Sequence, residues 1–245
     1  MMANLETTYL GLKLKNPIIV GSSELTNSVE KVVELEKNGA AAVILKSLFE
    51  EQIFMDIDAE RVNNMYNTYT DIEDYISYYL KKNTVDKYLT LIKGAKLELQ
   101  IPVIASINCI SSDEWISFAK EIELAGADAI ELNIFLLPSD FNLKGSEIEK
   151  IYSEVILKVI DVVKIPVSIK LSSYFSGFAN FISEISKIGI KGITLFNRFY
   201  QPDVNIETEK ITSTHIYSNP TENSNVLRWV GILYNNINCD IASST

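Results

Sequence analysis

Short runs of β-branched and other apolar residues alternate along the chain with longer stretches in which apolar positions recur every three or four residues. Three of the short runs share one pattern: a glycine, small or polar residues, then an apolar run closed by a polar residue. They are Gly39-Ala40-Ala41-Ala42-Val43-Ile44-Leu45-Lys46, Gly126-Ala127-Asp128-Ala129-Ile130-Glu131-Leu132-Asn133 and Gly189-Ile190-Lys191-Gly192-Ile193-Thr194-Leu195-Phe196-Asn197. Glycine suits the position just past a helix, where a positive φ is needed. The apolar run suits a strand buried on both faces. A second set interleaves with the first: Asn16-Pro17-Ile18-Ile19-Val20, Ile101-Pro102-Val103-Ile104-Ala105 and Ile165-Pro166-Val167-Ser168-Ile169. Proline there ends the helical register and opens a strand without removing a central ladder bond.

The spacings turn these runs into a repeat. Pro102 to Pro166 is 64 residues and Gly126 to Gly189 is 63, while Pro102 to Gly126 is 24 and Pro166 to Gly189 is 23. A pair of strand-helix units thus recurs along the chain. Pro17 to Pro102 is 85, so an insertion follows the second strand, at about 49–83. Strands are predicted at about 17–22, 41–46, 103–108, 128–133, 167–171, 192–197 and 239–243. Helices are predicted from Val29 to Leu35 (with Thr26-Asn27-Ser28 as capping candidates), and over 86–100, 112–124, 146–163 and 176–188. Strict alternation means parallel strands with right-handed crossovers. The even units and long loops after the strands favour a (β/α)₈ barrel over a doubly wound sheet. One domain over 1–245 is expected, as an incomplete barrel, since the repeat places an eighth strand about 24 residues after Cys239.

Composition narrows the partners. The formal charge of −10, from 22 basic and 32 acidic residues, argues against nucleic acid. The two cysteines, Cys109 and Cys239, lie in apolar runs, so a reducing compartment is expected. The first residues lack a basic region followed by an apolar one, and no apolar run approaches the roughly 18 residues that span a bilayer. A cytoplasmic protein acting on a small molecule, without membrane or nucleic-acid contact, is the expectation. His215, the one histidine, has no companion ligands, so no metal site is expected.

Active sites of such barrels form at the carboxyl ends of the strands. Reading those ends gives Ser22 and Ser23, Lys46 and Ser47, Asn108, Glu131 and Asn133, Lys170, Asn197, then Ser243 and Ser244. Each is also what a strand's first solvated position looks like. Two lysines there are harder to treat so, because a buried lysine is costly unless something anionic or dipolar meets it. The set makes a donor-rich rim for a planar, oxygen-bearing or anionic ligand.

The segment Thr8-Tyr9-Leu10-Gly11-Leu12-Lys13-Leu14-Lys15-Asn16-Pro17-Ile18-Ile19-Val20-Gly21-Ser22-Ser23 resembles the N-terminal hairpin and first strand of the dihydroorotate dehydrogenases. Lys46-Ser47, Glu131-Leu132-Asn133, Ile169-Lys170 and Leu195-Phe196-Asn197 fit that family in order, most closely a bacterial dihydroorotate dehydrogenase-like branch. The resemblance implies FMN across the barrel mouth and oxidation of a CH–CH bond of a dihydroorotate-like substrate, as in pyrimidine biosynthesis. It implies flavin contacts from Ser22, Ser23, Lys46, Asn108, Asn133, Lys170 and Asn197. Lys170 would sit by the ring edge that gains negative charge on reduction, and Lys46 between flavin and substrate.

Two departures qualify the expectation. Leu136 stands where one branch of the family carries a cysteine base, which leaves Ser139, Asp140 or Cys109 as substitutes, with Ser139 and Lys46 the catalytic candidates. The glycine-rich phosphate site expected after the last two strands has no counterpart before residue 245. The insertion, with Tyr66, Tyr69, Tyr75, Tyr78 and Tyr79, fits a lid, a homodimer contact or packing over the rim. Arg198, opening a long loop that reaches about Thr221, fits either an anionic substrate or a surface carboxylate. The rival functions are a Schiff-base aldolase using Lys46 or Lys170, and a non-catalytic barrel remnant.

Overall fold

The computed structural model describes residues 3–49, 70–108, 114–134, 136–198, 202–213 and 218–244. An antiparallel hairpin comes first, β1 (Thr7–Tyr9) with β2 (Leu12–Leu14). Seven strands then form one parallel sheet in chain order: β3 (Ile19–Val20), β4 (Ala42–Ile44), β6 (Val103–Asn108), β7 (Ala129–Asn133), β8 (Val167–Leu171), β9 (Gly192–Leu195) and β12 (Asp240–Ser243). A short strand, β5 (Leu48–Phe49), pairs with the end of β6. Between them lie α1 (Val29–Lys37), α2 (Thr70–Glu98), α3 (Glu114–Leu124), α4 (Gly145–Ile160), α5 (Phe178–Ile188) and α6 (Asn223–Leu233). An exposed hairpin, β10 (Pro202–Asn205) with β11 (Lys210–Ser213), interrupts the last crossover. The seven strands and their helices follow the (β/α)₈-barrel pattern, and among the described residues β3 and β12 are the two ends of the sheet.

Alternation along the strands divides the core in two. Val43, Val103, Ala105, Ile107, Ile130, Leu132, Val167, Ile169, Leu171, Ile193 and Leu195 face the helices and pack on Val32, Ile92, Ile122, Tyr152, Ile156, Ile182 and Ile185. The residues between them point inward, where Ala42, Ile44, Ile104 and Ala129 meet Tyr9, Leu10 and Leu14 of the first hairpin. That hairpin plugs the foot of the barrel. The Leu10 N–H donates to Asp240 Oδ2 at 2.7 Å, and a Cβ on Gly192 would lie 2.5 Å from Leu10 Cδ2.

The repeat read from the sequence has a physical basis in two matching clamps. Glu36 Oε1, at the end of α1, accepts from the N–H groups of Gln100 and Ile101 at 2.9 and 3.0 Å. Glu123 Oε1, at the end of α3, accepts from those of Lys164 and Ile165 at 2.7 and 3.0 Å. Each carboxylate stands three residues before a positive-φ glycine, Gly39 (φ 102) and Gly126 (φ 97), and each holds the residues before a strand-opening proline. Each clamp therefore joins a helix end to the loop one strand further on, and fixes where that strand begins.

Boundaries differ from expectation in several places, the first strand being confined to Ile19–Val20. The second strand ends at Ile44 and resumes as β5, and the sixth ends at Leu195. Residues 70–83, expected in the insertion, belong to the long helix α2. Residues 50–69, with Tyr66 and Tyr69, and also Cys109 and His215, lie outside the described residues.

Candidate functional site

Inward-facing residues on neighbouring strands form levels. One level holds Ser106, Glu131, Ser168, Gly192 and Asp240 in direct register, and the next holds Asn133, Lys170, Thr194 and Ala242. Asn108 lies two residues beyond Ser106 on the same face of β6. Polar residues therefore line the inside of the strands from mid-barrel to the carboxyl tips, above the apolar plug.

Ser47 is the hub of the rim. Its N–H donates to Ser22 Oγ at 2.7 Å, its hydroxyl lies 3.0 Å from that of Ser22 and 2.7 Å from that of Ser106, and Asn133 Nδ2 donates to it at 3.3 Å. Tyr88, from α2, fixes Ser106 by taking its N–H (2.8 Å) and donating to its carbonyl (2.9 Å). Among the described residues three amide atoms nearby have no hydrogen-bond partner: both on Asn108, which is 1% exposed, and Oδ1 of Asn133, which is 7% exposed. A buried polar atom without a partner costs about 1–3 kcal/mol.

Beneath the rim Glu131 is 1% exposed and accepts from Thr194 Oγ1 at 2.8 Å. Burial pushes its carboxyl above the usual carboxylate range, against the opposing charge of Lys170 and hydrogen bonds from Thr194 and Ser106. Thr194 in turn meets the Tyr9 hydroxyl at 3.4 Å, and burial pushes both Tyr9 and Tyr88 up, so both phenols stay neutral. Lys170, on the level above Glu131, is half-buried and makes no ion pair among the described residues.

The other expected site residues are placed as follows. The Lys46 ammonium forms an ion pair with Glu24 and is 43% exposed; that hydrogen bond, then the charge itself, lowers the Glu24 carboxyl. Ser23 caps the turn at Glu24–Thr26, accepting from Leu25 N at 3.3 Å, so its hydroxyl serves the backbone. Asn197 stays at the rim, its Nδ2 donating to the Lys170 carbonyl at 3.3 Å and its N–H to that of Leu171 at 2.7 Å. Ser139 lies exposed on the loop after β7, its hydroxyl donating to Leu137 O at 3.5 Å, and Asp140 accepts from Asn142 N at 2.9 Å in the same loop. Leu136 packs against the core. Arg198 pairs with Glu222 at 3.2 Å.

The structure thus brings Ser22, Asn108, Asn133, Lys170 and Asn197 to one rim, with Lys46 at its edge and Ser139 outside the network. Sequence reasoning missed Ser106, Thr194, Tyr9 and Tyr88, and gave Glu131 no role. The available signal was the period of two within each strand: Ser106 precedes Asn108, Glu131 precedes Asn133 and Ser168 precedes Lys170 by two residues. Among the described residues no group of three or more His, Cys, Asp or Glu could hold a metal ion, and no helix is long and apolar enough to cross a membrane.

The chain as a whole resembles known proteins. The family model of dihydroorotate dehydrogenase matches residues 4–219. The catalytic subunit of dihydroorotate dehydrogenase B (NAD(+)) from Thermoplasma volcanium is 27% identical over 233 residues, covering 92% of this chain and 69% of that one. Its counterpart from Thermoplasma acidophilum is 25% identical over 223 residues, covering 88% and 69%. Among solved structures, a dihydrodipicolinate synthase from Agrobacterium tumefaciens overlaps 73% of this chain and 54% of its own, at 18% identity and a TM-score of 0.46.

Proposed function

This chain belongs to the dihydroorotate dehydrogenase family, and from that premise we propose that it is an FMN-dependent oxidoreductase acting on a CH–CH bond of a dihydroorotate-like substrate. The observation that carries the reading is the buried amide atoms of Asn108 and Asn133 that find no partner among the described residues, beside a lysine that makes no ion pair among them. An amide offers both a donor and an acceptor, which suits the edge of a flavin ring, where N–H and C=O groups alternate. Lys170 suits the ring edge that carries charge after reduction. The residues of this rim suit the ring of the cofactor. When bound, FMN supplies the acceptor for a hydride leaving the substrate carbon.

The chain's own residues would do the rest. Asn108, Asn133 and Asn197 orient the ring and substrate through their amides, and the Ser22–Ser47 pair supplies hydroxyls beside them. Lys170 holds a fixed positive charge in a site lined by buried groups, where little solvent reorganisation opposes it. Lys46, engaged by Glu24, is a donor rather than a base. With Leu136 at the expected cysteine position, Ser139 is the loop hydroxyl proposed to take the substrate proton while passing its own to the solvent it faces. The relatives are named as catalytic subunits, and by extension we propose a partner chain that receives the electrons.

The test is flavin binding by the full chain. With ring contacts to hold it, FMN should bind weakly but detectably in an equilibrium titration followed by flavin fluorescence. Lys170→Ala and Asn133→Ala should each weaken FMN binding about tenfold, equivalent to ~1.4 kcal/mol. A wild type that binds no FMN, or variants that bind it as tightly as the wild type does, would refute the reading.

A further inference from the structure

Glu131 is more deeply buried than any reading of the rim requires. It stands in register with Ser168, and Lys170 is two residues further along the same inward face of β8. Diagonal neighbours of this kind lie within reach of long side chains. The two residues therefore stand on adjacent levels of one inward face, near enough for their charges to interact, the acid sealed below and the lysine half-buried at the rim. Around the carboxyl, Ser106 from β6 and Thr194 from β9 are uncharged, and Tyr9 from the first hairpin and Tyr88 from α2 are neutral phenols. Asp240 at the foot of β12 is occupied by the Leu10 N–H. Among the described residues Lys170 is thus the cation acting on Glu131.

We propose that Glu131 is a positioning residue that shares the Lys170 ammonium with the anion at the mouth, so that an anionic ligand above the lysine draws a proton onto the carboxyl below it. The proposal rests on the flavin reading and deepens it, the anion being the ring of reduced FMN. With the mouth empty, Lys170 is the carboxylate's counter-charge, set against the cost of burial. With an anion over the lysine, that counter-charge is shared, and the buried carboxylate takes up a proton through the hydroxyls of Ser106 and Ser47, 2.7 Å apart. Ligand charge and Glu131 protonation are linked, each favouring the other. The pair keeps the interior near neutrality in both states.

The test follows the Glu131 carboxyl in the full chain by carbon-13 NMR, the signal being assigned by its loss in Glu131→Gln. Without flavin, Lys170→Met should move the Glu131 titration up by about one pH unit or more, a tenfold rise in proton affinity. Lys170→Arg, which keeps the charge, should leave it near the wild-type position. An unchanged titration in Lys170→Met overturns the coupling. If Lys170→Met does not fold, Lys170→Gln is read in the same way. Reduced FMN should then raise the titration in the wild type but not in Lys170→Met, and oxidised FMN should not raise it. No response to reduced FMN that is demonstrably bound overturns the proposal. Failure to bind FMN at all overturns the functional reading instead, and leaves the Glu131–Lys170 coupling to be judged by the first titration.

Discussion

Replacing Glu123 with alanine tests whether the repeated clamps hold the barrel's units in register. Glu123 is half-buried and accepts two backbone N–H groups, from Lys164 at 2.7 Å and Ile165 at 3.0 Å. Hydrogen bonds to a charged group are worth about 1.5–3 kcal/mol each when intact. Lys164 is exposed, so water replaces much of the loss there, whereas Ile165 is half-buried and packed against the core. Alanine's better helix propensity returns a few tenths of a kcal/mol. The net expected loss is about 2 kcal/mol. Glu123→Gln keeps an acceptor oxygen and should lose about half as much. Glu36→Ala should match Glu123→Ala, and because the two clamps share no partner the double variant should add to about 4 kcal/mol, within roughly 0.5. The measurement is urea unfolding followed by circular dichroism, read as a lower midpoint at unchanged slope. A Glu123→Ala variant within about 0.5 kcal/mol of wild type, or a Gln variant as damaged as the Ala one, would refute the reasoning.

Three further outcomes are expected. Asn108→Leu should stabilise the ligand-free chain by about 1 kcal/mol, since it removes two polar atoms without a partner among the described residues, while weakening FMN binding; thermal unfolding with and without FMN checks both signs, and a destabilised ligand-free variant counts against the site. Gly192→Ala should cost about 1–3 kcal/mol by overpacking, because the added Cβ would sit 2.5 Å from Leu10 and 3.1 Å from the Tyr9 ring; chemical denaturation reads it, and a neutral result means the hairpin does not plug the barrel. The Cys239 thiol, pushed up to about 11 by burial and then by Asp240, should alkylate slowly at neutral pH and faster with each step toward pH 11; a rate already level by about pH 9, near an ordinary thiol's range, contradicts that.

The strands were legible where punctuation was chemical. Val103–Asn108 and Val167–Leu171 follow their prolines as expected, and Gly39, Gly126 and Gly189 all take the positive φ that their place after a helix requires. The β10–β11 hairpin was missed because its turn uses Asn205, whose side chain accepts from Glu207 N at 3.0 Å and Thr208 N at 2.9 Å, without the glycine that usually marks such a turn. The extension of α2 back to Thr70 was hidden because its apolar residues follow no single helical stripe. At the rim, Asn133, Lys170 and Asn197 could be read as strand ends. The roles of Ser106 and Thr194 could not, since a lone hydroxyl inside an apolar strand matters only once its cross-strand neighbours are known. Lys46 was legible as a strand-end cation, but its pairing with Glu24 depends on a turn that only the fold brings near.

The plug at the barrel's foot sets a timetable for biosynthesis. Every strand of the parallel sheet pairs with the one made just before it, so a chain emerging from the ribosome can extend the sheet stepwise. The first hairpin can settle on Ala42, Ile44, Ile104 and Ala129 as they are made, but the polar contacts of Tyr9 and Leu10 wait for Thr194 and Asp240, 185 and 230 residues away. In that interval it is a loosely held apolar element, a greasy handle suited to a holding chaperone.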